Sequence, residues 1–305
     1  MQDAGTAKSV QAGVLNLHYR EFGPADGWPV VLSHGFPYGP AAYDAVAPVL
    51  ADRGARVIVP WLRGYGPTRF TDPATPRSGE QAALGADLLA LLDALDIGRA
   101  VLAGYDWGGR AGCVVAACRP DRVAGLVSVN GYNIQNIARA MEPADPADEV
   151  KYWYQYYFHN DRGEAALRDR RRDLCRLIWR LWSPKWAFDD ATFDTTAADF
   201  DNPDFVAVVI HSYRHRFGLV PGDPAVAAIE SRLAAQPDIT VPTVTIDGDS
   251  DGVLADAGTA HHARKFTGRH EHRILPDIGH NVPQEAPAAF ADAVLTVRNW
   301  SRPSD

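Results

Sequence analysis

Short β-branched runs and longer leucine-spaced runs take turns along the first part of the chain. Between Gly13 and Gly23, Val14, Leu15, Leu17 and Tyr19 sit among polar residues, the period-two pattern of an edge strand. Pro29 to Ser33, Arg56 to Pro60, Arg99 to Ala103 and Val123 to Val129 are short and continuously apolar, and they predict buried strands. Helical spacing falls between them. Residues 40 to 52 read as helix, Glu80 to Leu95 carries Leu84, Leu88, Leu91, Leu92 and Leu95, and Trp107 to Cys118 follows the same period. Residues 1 to 9 read as a loose tail. Strands alternating with helices imply an α/β chain with a mainly parallel sheet and helices on both faces.

The alternation stops near Gly131. From Tyr132 to about Gly222 the pattern is helical and rich in aromatics, and Pro184, Pro203 and Pro221 punctuate it. Strand signals resume at residues 241 to 249 and 272 to 279, and a helix from about Pro283 to Trp300 closes the pattern. Residues 1–131 and 223–305 are therefore expected to form one α/β core, with residues 132–222 inserted as a helical cap. The cluster Arg168, Arg170, Arg171 and Arg172 reads as the wet face of a helix whose other face carries Leu167, Leu174, Leu177 and Ile178.

Composition narrows the function. Lys plus Arg is 30 against 38 Asp plus Glu, a net charge of −8, which argues against nucleic acid or an anionic membrane surface as partner. Cys113, Cys118 and Cys175 are odd in number and irregular in spacing, so no disulfide framework is expected. His261-His262 is a lone pair without zinc-ligand spacing. No basic segment followed by an apolar run opens the chain, and no apolar stretch approaches membrane-spanning length. A soluble, reducing, cytoplasmic setting is the expectation.

The candidate chemistry sits where a strand runs into a helix through Gly104-Tyr-Asp106-Trp-Gly108-Gly109. A tight turn between small residues lifts its central side chain above the C-terminal edge of a sheet, where ligands of open α/β sheets bind. The helix that starts there favours an anion at its N-terminus. An ordinary Asp helix cap fits this stretch as well. Two other loops favour chemistry. His280 follows a strand signal, in Ile278-Gly-His-Asn281, and Asp251 closes Asp247-Gly-Asp-Ser-Asp251 after the preceding strand. Nucleophile, acid and histidine then fall in the chain order this topology uses. Asp249 lies two residues from Asp251, but the spacing from Gly248 favours Asp251. After the strand ending at Val129 stands Asn130, which cannot supply a charge.

The set His34-Gly-Phe-Pro37, Arg63-Gly-Tyr-Gly66, Gly104-Tyr-Asp-Trp-Gly-Gly109, Gly248-Asp-Ser-Asp251, Gly279-His280 and Gln284-Glu-Ala-Pro287 resembles the α/β-hydrolase fold enzymes that use an Asp nucleophile, and among them the epoxide hydrolases. The resemblance covers nearly the whole length. It departs at Tyr105, where the family often has His, and at Trp61, where it often has Asp; both border the site and bear on substrate choice.

The resemblance implies an α/β-hydrolase fold and an alkyl-enzyme ester on Asp106, hydrolysed by water that His280 activates and Asp251 orients. It implies the backbone N–H groups of Phe36 and Trp107 as oxyanion donors. It implies Tyr154 and Tyr213 as proton donors to the opening ring, with Tyr156 crowding the first assignment. Tyr152 and Tyr157 read as packing aromatics, and His215 as a solvated helix position. No cofactor and no metal are implied. The expected partner is a small apolar or aromatic epoxide. The alternative is a haloalkane or haloacid dehalogenase, in which Trp107 would serve a departing halide. The haloacetate dehalogenases place an Arg beside the nucleophile, and here that place holds Trp107. A non-catalytic binding protein on the same scaffold is a third reading, disfavoured by the complete set of Asp106, His280 and Asp251.

Overall fold

The computed structural model describes residues 5–255 and 258–301. Among them the strands are β1 (Thr6–Ala12), β2 (Leu15–Phe22), β3 (Trp28–Ser33), β4 (Ala55–Pro60), β5 (Arg69–Phe70), β6 (Ala100–Gly104), β7 (Val123–Val129), β8 (Thr243–Gly248) and β9 (His270–Leu275). The α-helices that precede β7 are α1 (Ala47–Ala51), α2 (Gln81–Ala94) and α3 (Asp106–Cys118). Between β7 and β8 come α4 (Pro146–Glu149), α5 (Trp153–Phe158), α6 (Asp161–Asp169), α7 (Arg171–Trp182), α8 (Asp190–Ala197), α9 (Phe205–His215) and α10 (Ala227–Leu233). After β9 come α11 (Val282–Glu285) and α12 (Pro287–Trp300).

The strands form one sheet in the order β1-β2-β4-β3-β6-β7-β8-β9, with β5 on β2. Pairings from β4 through β9 are parallel, while β1, β4 and β5 pair antiparallel with β2. This is an α/β-hydrolase fold. Central strands need apolar residues on both faces, because helices cover both. Every residue of β6 is accordingly buried. Helix α3 packs on β6, β7 and α2, and α12 packs on β7 and β8.

Three expectations change. Residues 1–4 lie outside the described residues, but residues 6–9, read as tail, belong to β1, which pairs with β2 from Thr6↔Glu21 to Ala12↔Leu15. Its side chains are mostly exposed, so no apolar alternation marks it; backbone pairing and a turn at Gly13 with φ 56° hold it. Residues 40–52 split into a 3₁₀ turn, Pro40–Tyr43, and the short α1. The arginine cluster straddles a break at Arg170 between α6 and α7, which resets the helical face. Leu167, Leu174 and Ile178 are buried, whereas Leu177 is 46% exposed.

Candidate active site

Strands β3 and β6 are neighbours in register, with Ser33 opposite Gly104. From β3 the chain moves to β4 on one side and later to β6 on the other. The loops leaving β3 and β6 therefore meet at a switch point, where open α/β sheets leave a crevice. Asp106 sits there with φ 49°. A non-glycine residue in that region stores about 1–3 kcal/mol of strain. The surroundings hold it there. A Cβ on Gly108 would lie 1.9 Å from the Ser33 carbonyl oxygen, and one on Gly104 would lie 2.6 Å from the Gly108 carbonyl carbon. Only glycine lets α3 start this close to both strands. The Phe36 N–H donates to Asp106 Oδ1 at 2.7 Å. The N–H of Trp107 makes no hydrogen bond to the carboxylate among the described residues, although it lies in the first turn of α3.

Asp251 and His280 arrive from the loops after β8 and β9. His280 Nδ1 is 2.8 Å from Asp251 Oδ2, and Nε2 is 3.7 Å from Asp106 Oδ2. Asp251 Oδ1 accepts from the Val253 N–H at 2.8 Å. Asp249 instead accepts from the Asp277 N–H at 2.7 Å and faces away. The imidazole thus lies between two buried carboxylates. Burial works against its charge, but Asp251 and Asp106 outweigh burial and push its pKa up to about 10. Burial would likewise raise Asp106. His280, Arg110 and the Phe36 N–H together hold that carboxyl below its usual range.

Two residues that the sequence motifs and loops include without giving them this role support the histidine. Asn130, after β7, donates Nδ2 to Asp251 Oδ2 at 2.9 Å and stands 3.4 Å from His280 Nδ1. Glu285 accepts from the Gly279 N–H at 2.8 Å, the Asn281 N–H at 2.9 Å and the Ser183 hydroxyl at 2.6 Å. Ser183 Oγ in turn accepts from the His280 N–H at 3.1 Å. One carboxylate on α11 and one residue after α7 clamp the loop that carries His280.

Above the carboxylate lies a cavity of about 390 Å³ whose wall includes Arg110, Tyr152, Tyr154, Tyr156, Arg216 and Phe217. Tyr154 is buried and its ring is 5.4 Å from that of Tyr213, edge to face. Burial, together with the charge of Asp106, raises the pKa of both phenols. Tyr156 is 39% exposed and its hydroxyl bonds Glu149 at the rim. Tyr157 packs on Trp153 and Phe158, whereas Tyr152, read as a packing residue, borders the cavity.

His215 is buried rather than solvated, with Nε2 3.3 Å from Glu80 Oε2, and it stacks on His211 away from this cavity. A lone helix histidine gives no sign of a carboxylate brought to it from another segment. Among the described residues the buried indole Nε1–H groups of Trp107 and Trp182 have no partner, and the Trp182 ring is 4.8 Å from His280. Arg110 was not foreseen: it is 8% exposed, one turn along α3 from Asp106. Among the described residues no group of three or more His, Cys, Asp or Glu could hold a metal ion, and no helix is long and apolar enough to cross a membrane.

A carboxylate on a strained strand-to-helix turn, an imidazole and a second acid at the C-terminal edge of a largely parallel sheet define a class of hydrolase scaffold. The chain belongs to the α/β hydrolase fold family, whose model matches residues 29–287. It is similar to a haloalkane dehalogenase of Mycobacterium marinum, 38% identical over 92% of this chain and 88% of that protein. Epoxide hydrolase A of Mycobacterium tuberculosis is 26% identical over 96% and 97% of the two chains. A crystal structure from Klebsiella pneumoniae, described as a "putative epoxide hydrolase", superposes with a TM-score of 0.94 at 49% identity, covering 96% of this chain and 97% of that one.

Proposed function

We propose that this chain opens an epoxide to a diol with water as the only co-reactant, its helical insertion acting as the cap of the site. The observation that carries this reading is the pair of buried, adjacent phenols, Tyr154 and Tyr213, near the Asp106 carboxylate. An epoxide leaves as an alkoxide and needs a proton, and phenols kept protonated by burial can supply it.

Asp106 attacks a ring carbon, the C–O bond breaks, and the alkoxide takes a phenolic proton. The product is an ester on Asp106. Forming that ester removes one of the two negative charges that hold the proton on His280, so the imidazolium gives up its proton and the phenolate regains one. Neutral His280 then takes a proton from water, and the hydroxide adds to the ester carbonyl. The oxyanion forms beside the Phe36 N–H. Loss of one such donor typically costs on the order of 100- to 1,000-fold in rate. Collapse releases the diol and restores the carboxylate and the imidazolium.

A second reading is supported by the unpartnered indole N–H groups of Trp107 and Trp182, which could receive a halide leaving a saturated carbon. Incubation with epoxides and with alkyl halides, scored for diol and for halide, separates the two. Halide release without diol overturns the first. In either case His280→Gln should trap an ester on Asp106, found by mass spectrometry of that peptide. A single turnover in heavy-oxygen water should label the same side chain, and turnover without that label refutes covalent catalysis.

A further inference from the structure

We infer that the substrate carries a carboxylate close to its reacting carbon, bound by Arg110 and Arg216. The inference rests on the proposed function and names the substrate class of that same site. Arg110 lines the Asp106 cavity and is 8% exposed, yet among the described residues its Nε and Nη1 have no hydrogen-bond partner. A buried guanidinium with unpaired N–H groups is unfavourable unless an acceptor comes to it.

Arg216 reaches the same cavity from the end of α9. It makes only long contacts to Ser212, at 3.4 Å to the carbonyl and 3.5 Å to the hydroxyl, and lies over the Tyr213 ring at 4.2 Å. Among the described residues neither arginine has a carboxylate within ion-pair distance. The other acids of the cavity wall are engaged. Glu142 pairs with Arg139, Glu149 bonds the Ala144 N–H and the Tyr156 hydroxyl, and Asp106 faces His280. Arg110 feels the charge of Asp106, but among the described residues neither cation has an acid in ion-pair contact in this one small space. Burial and the charge of Arg216 lower the pKa of Arg110 only to about 10, so it keeps its proton at neutral pH.

The spacing sets the reach. Residues four apart on a helix have Cβ atoms roughly 6 Å apart. Asp106, Arg110 and Arg216 all border the one cavity, so a substrate attacked by Asp106 would present its anion close to the reacting carbon. A planar carboxylate suits a guanidinium fork. The rest of the substrate would lie against Tyr152, Tyr154 and Phe217, so an aromatic body and an anionic head are compatible.

The test pairs phenylglycidate with its neutral amide, phenylglycidamide, as substrates. It also pairs phenylpropionate with phenylpropionamide as unreactive ligands in calorimetry. The wild-type enzyme should favour the carboxylate about 10- to 100-fold in kcat/KM and in affinity. Arg110→Met should collapse the ratio toward one, whatever happens to the absolute rates, and Arg110→Lys should retain part of it. Arg216→Met supplies the same readout should the buried variant not fold. Hydrolysis of both epoxides with no carboxylate preference, or calorimetry that finds the amide bound as well as the acid, overturns the inference and leaves the epoxide hydrolase reading standing. Arginine-dependent binding of phenylpropionate with no diol from either epoxide does the reverse.

Discussion

Glu285→Gln isolates the positioning of His280 from the chemistry of Asp106. The wild-type carboxylate accepts three hydrogen bonds, from the N–H groups of Gly279 and Asn281 and from the Ser183 hydroxyl. Glutamine keeps the shape but turns one acceptor into a donor, so at least one of these bonds is replaced by two facing N–H groups. Glu285 is half-buried, which places the loss at the low end for a charged acceptor, about 1.5 kcal/mol. For a chain of this size that corresponds to a fall in melting temperature of roughly 2–5 °C.

The kinetic consequence is asymmetric. Asp106 is held by its own turn and by Phe36, neither of which touches Glu285. Ester formation should stay within a few-fold of wild type, while ester hydrolysis, which needs the imidazole placed over the carbonyl, should slow about 100-fold. Rapid-quench measurement of ester formation and decay reads both rates, and the Asp106 peptide carrying the substrate as an ester should accumulate. Equal slowing of the two steps, or a lower melting temperature with unchanged hydrolysis, refutes the assignment of Glu285 as a positioning residue for His280.

Two further outcomes concern stability. Arg63 makes two 2.6 Å bonds to Asp87 and one at 2.7 Å to the Ser78 carbonyl, all buried, so Arg63→Ala should lose about 3–5 kcal/mol in urea unfolding, while Arg63→Met with Asp87→Leu should recover most of it. Asp199 accepts from the Trp61 indole at 2.7 Å, and burial raises its pKa to about 7 against that bond. Its folded form holds a proton longer than the unfolded chain does. The contribution is therefore full below about pH 4 and is lost as pH rises through 7, by on the order of 4 kcal/mol at most. Thermal melts from acid to neutral pH should show this decline, and Asp199→Asn should flatten it.

Buried strands were legible because covering both faces of a parallel sheet demands continuous apolar runs, as in Val123 to Val129. The Gly104–Gly109 turn was legible because the crowding at Gly108 admits no side chain. Strand β1 was not, since an exposed edge needs no apolar period. Arg110 was not, because an arginine in a helix has the same appearance whether it faces bulk water or the wall of a cavity. His215 depends on Glu80, and the clamp at Glu285 on Ser183, each far away in sequence, and pairings of that kind leave no local trace.

Asn130 stands within reach of both the imidazole and the acid that orients it. The anchor of the histidine is thus a place shared by two loops rather than a property of one residue. Exchanging Asn130 for Asp and Asp251 for Asn would carry the negative charge from the end of β8 to the end of β7 while the ring stays where it is. A scaffold with such a spare mooring can tolerate turnover in one loop without forfeiting its base.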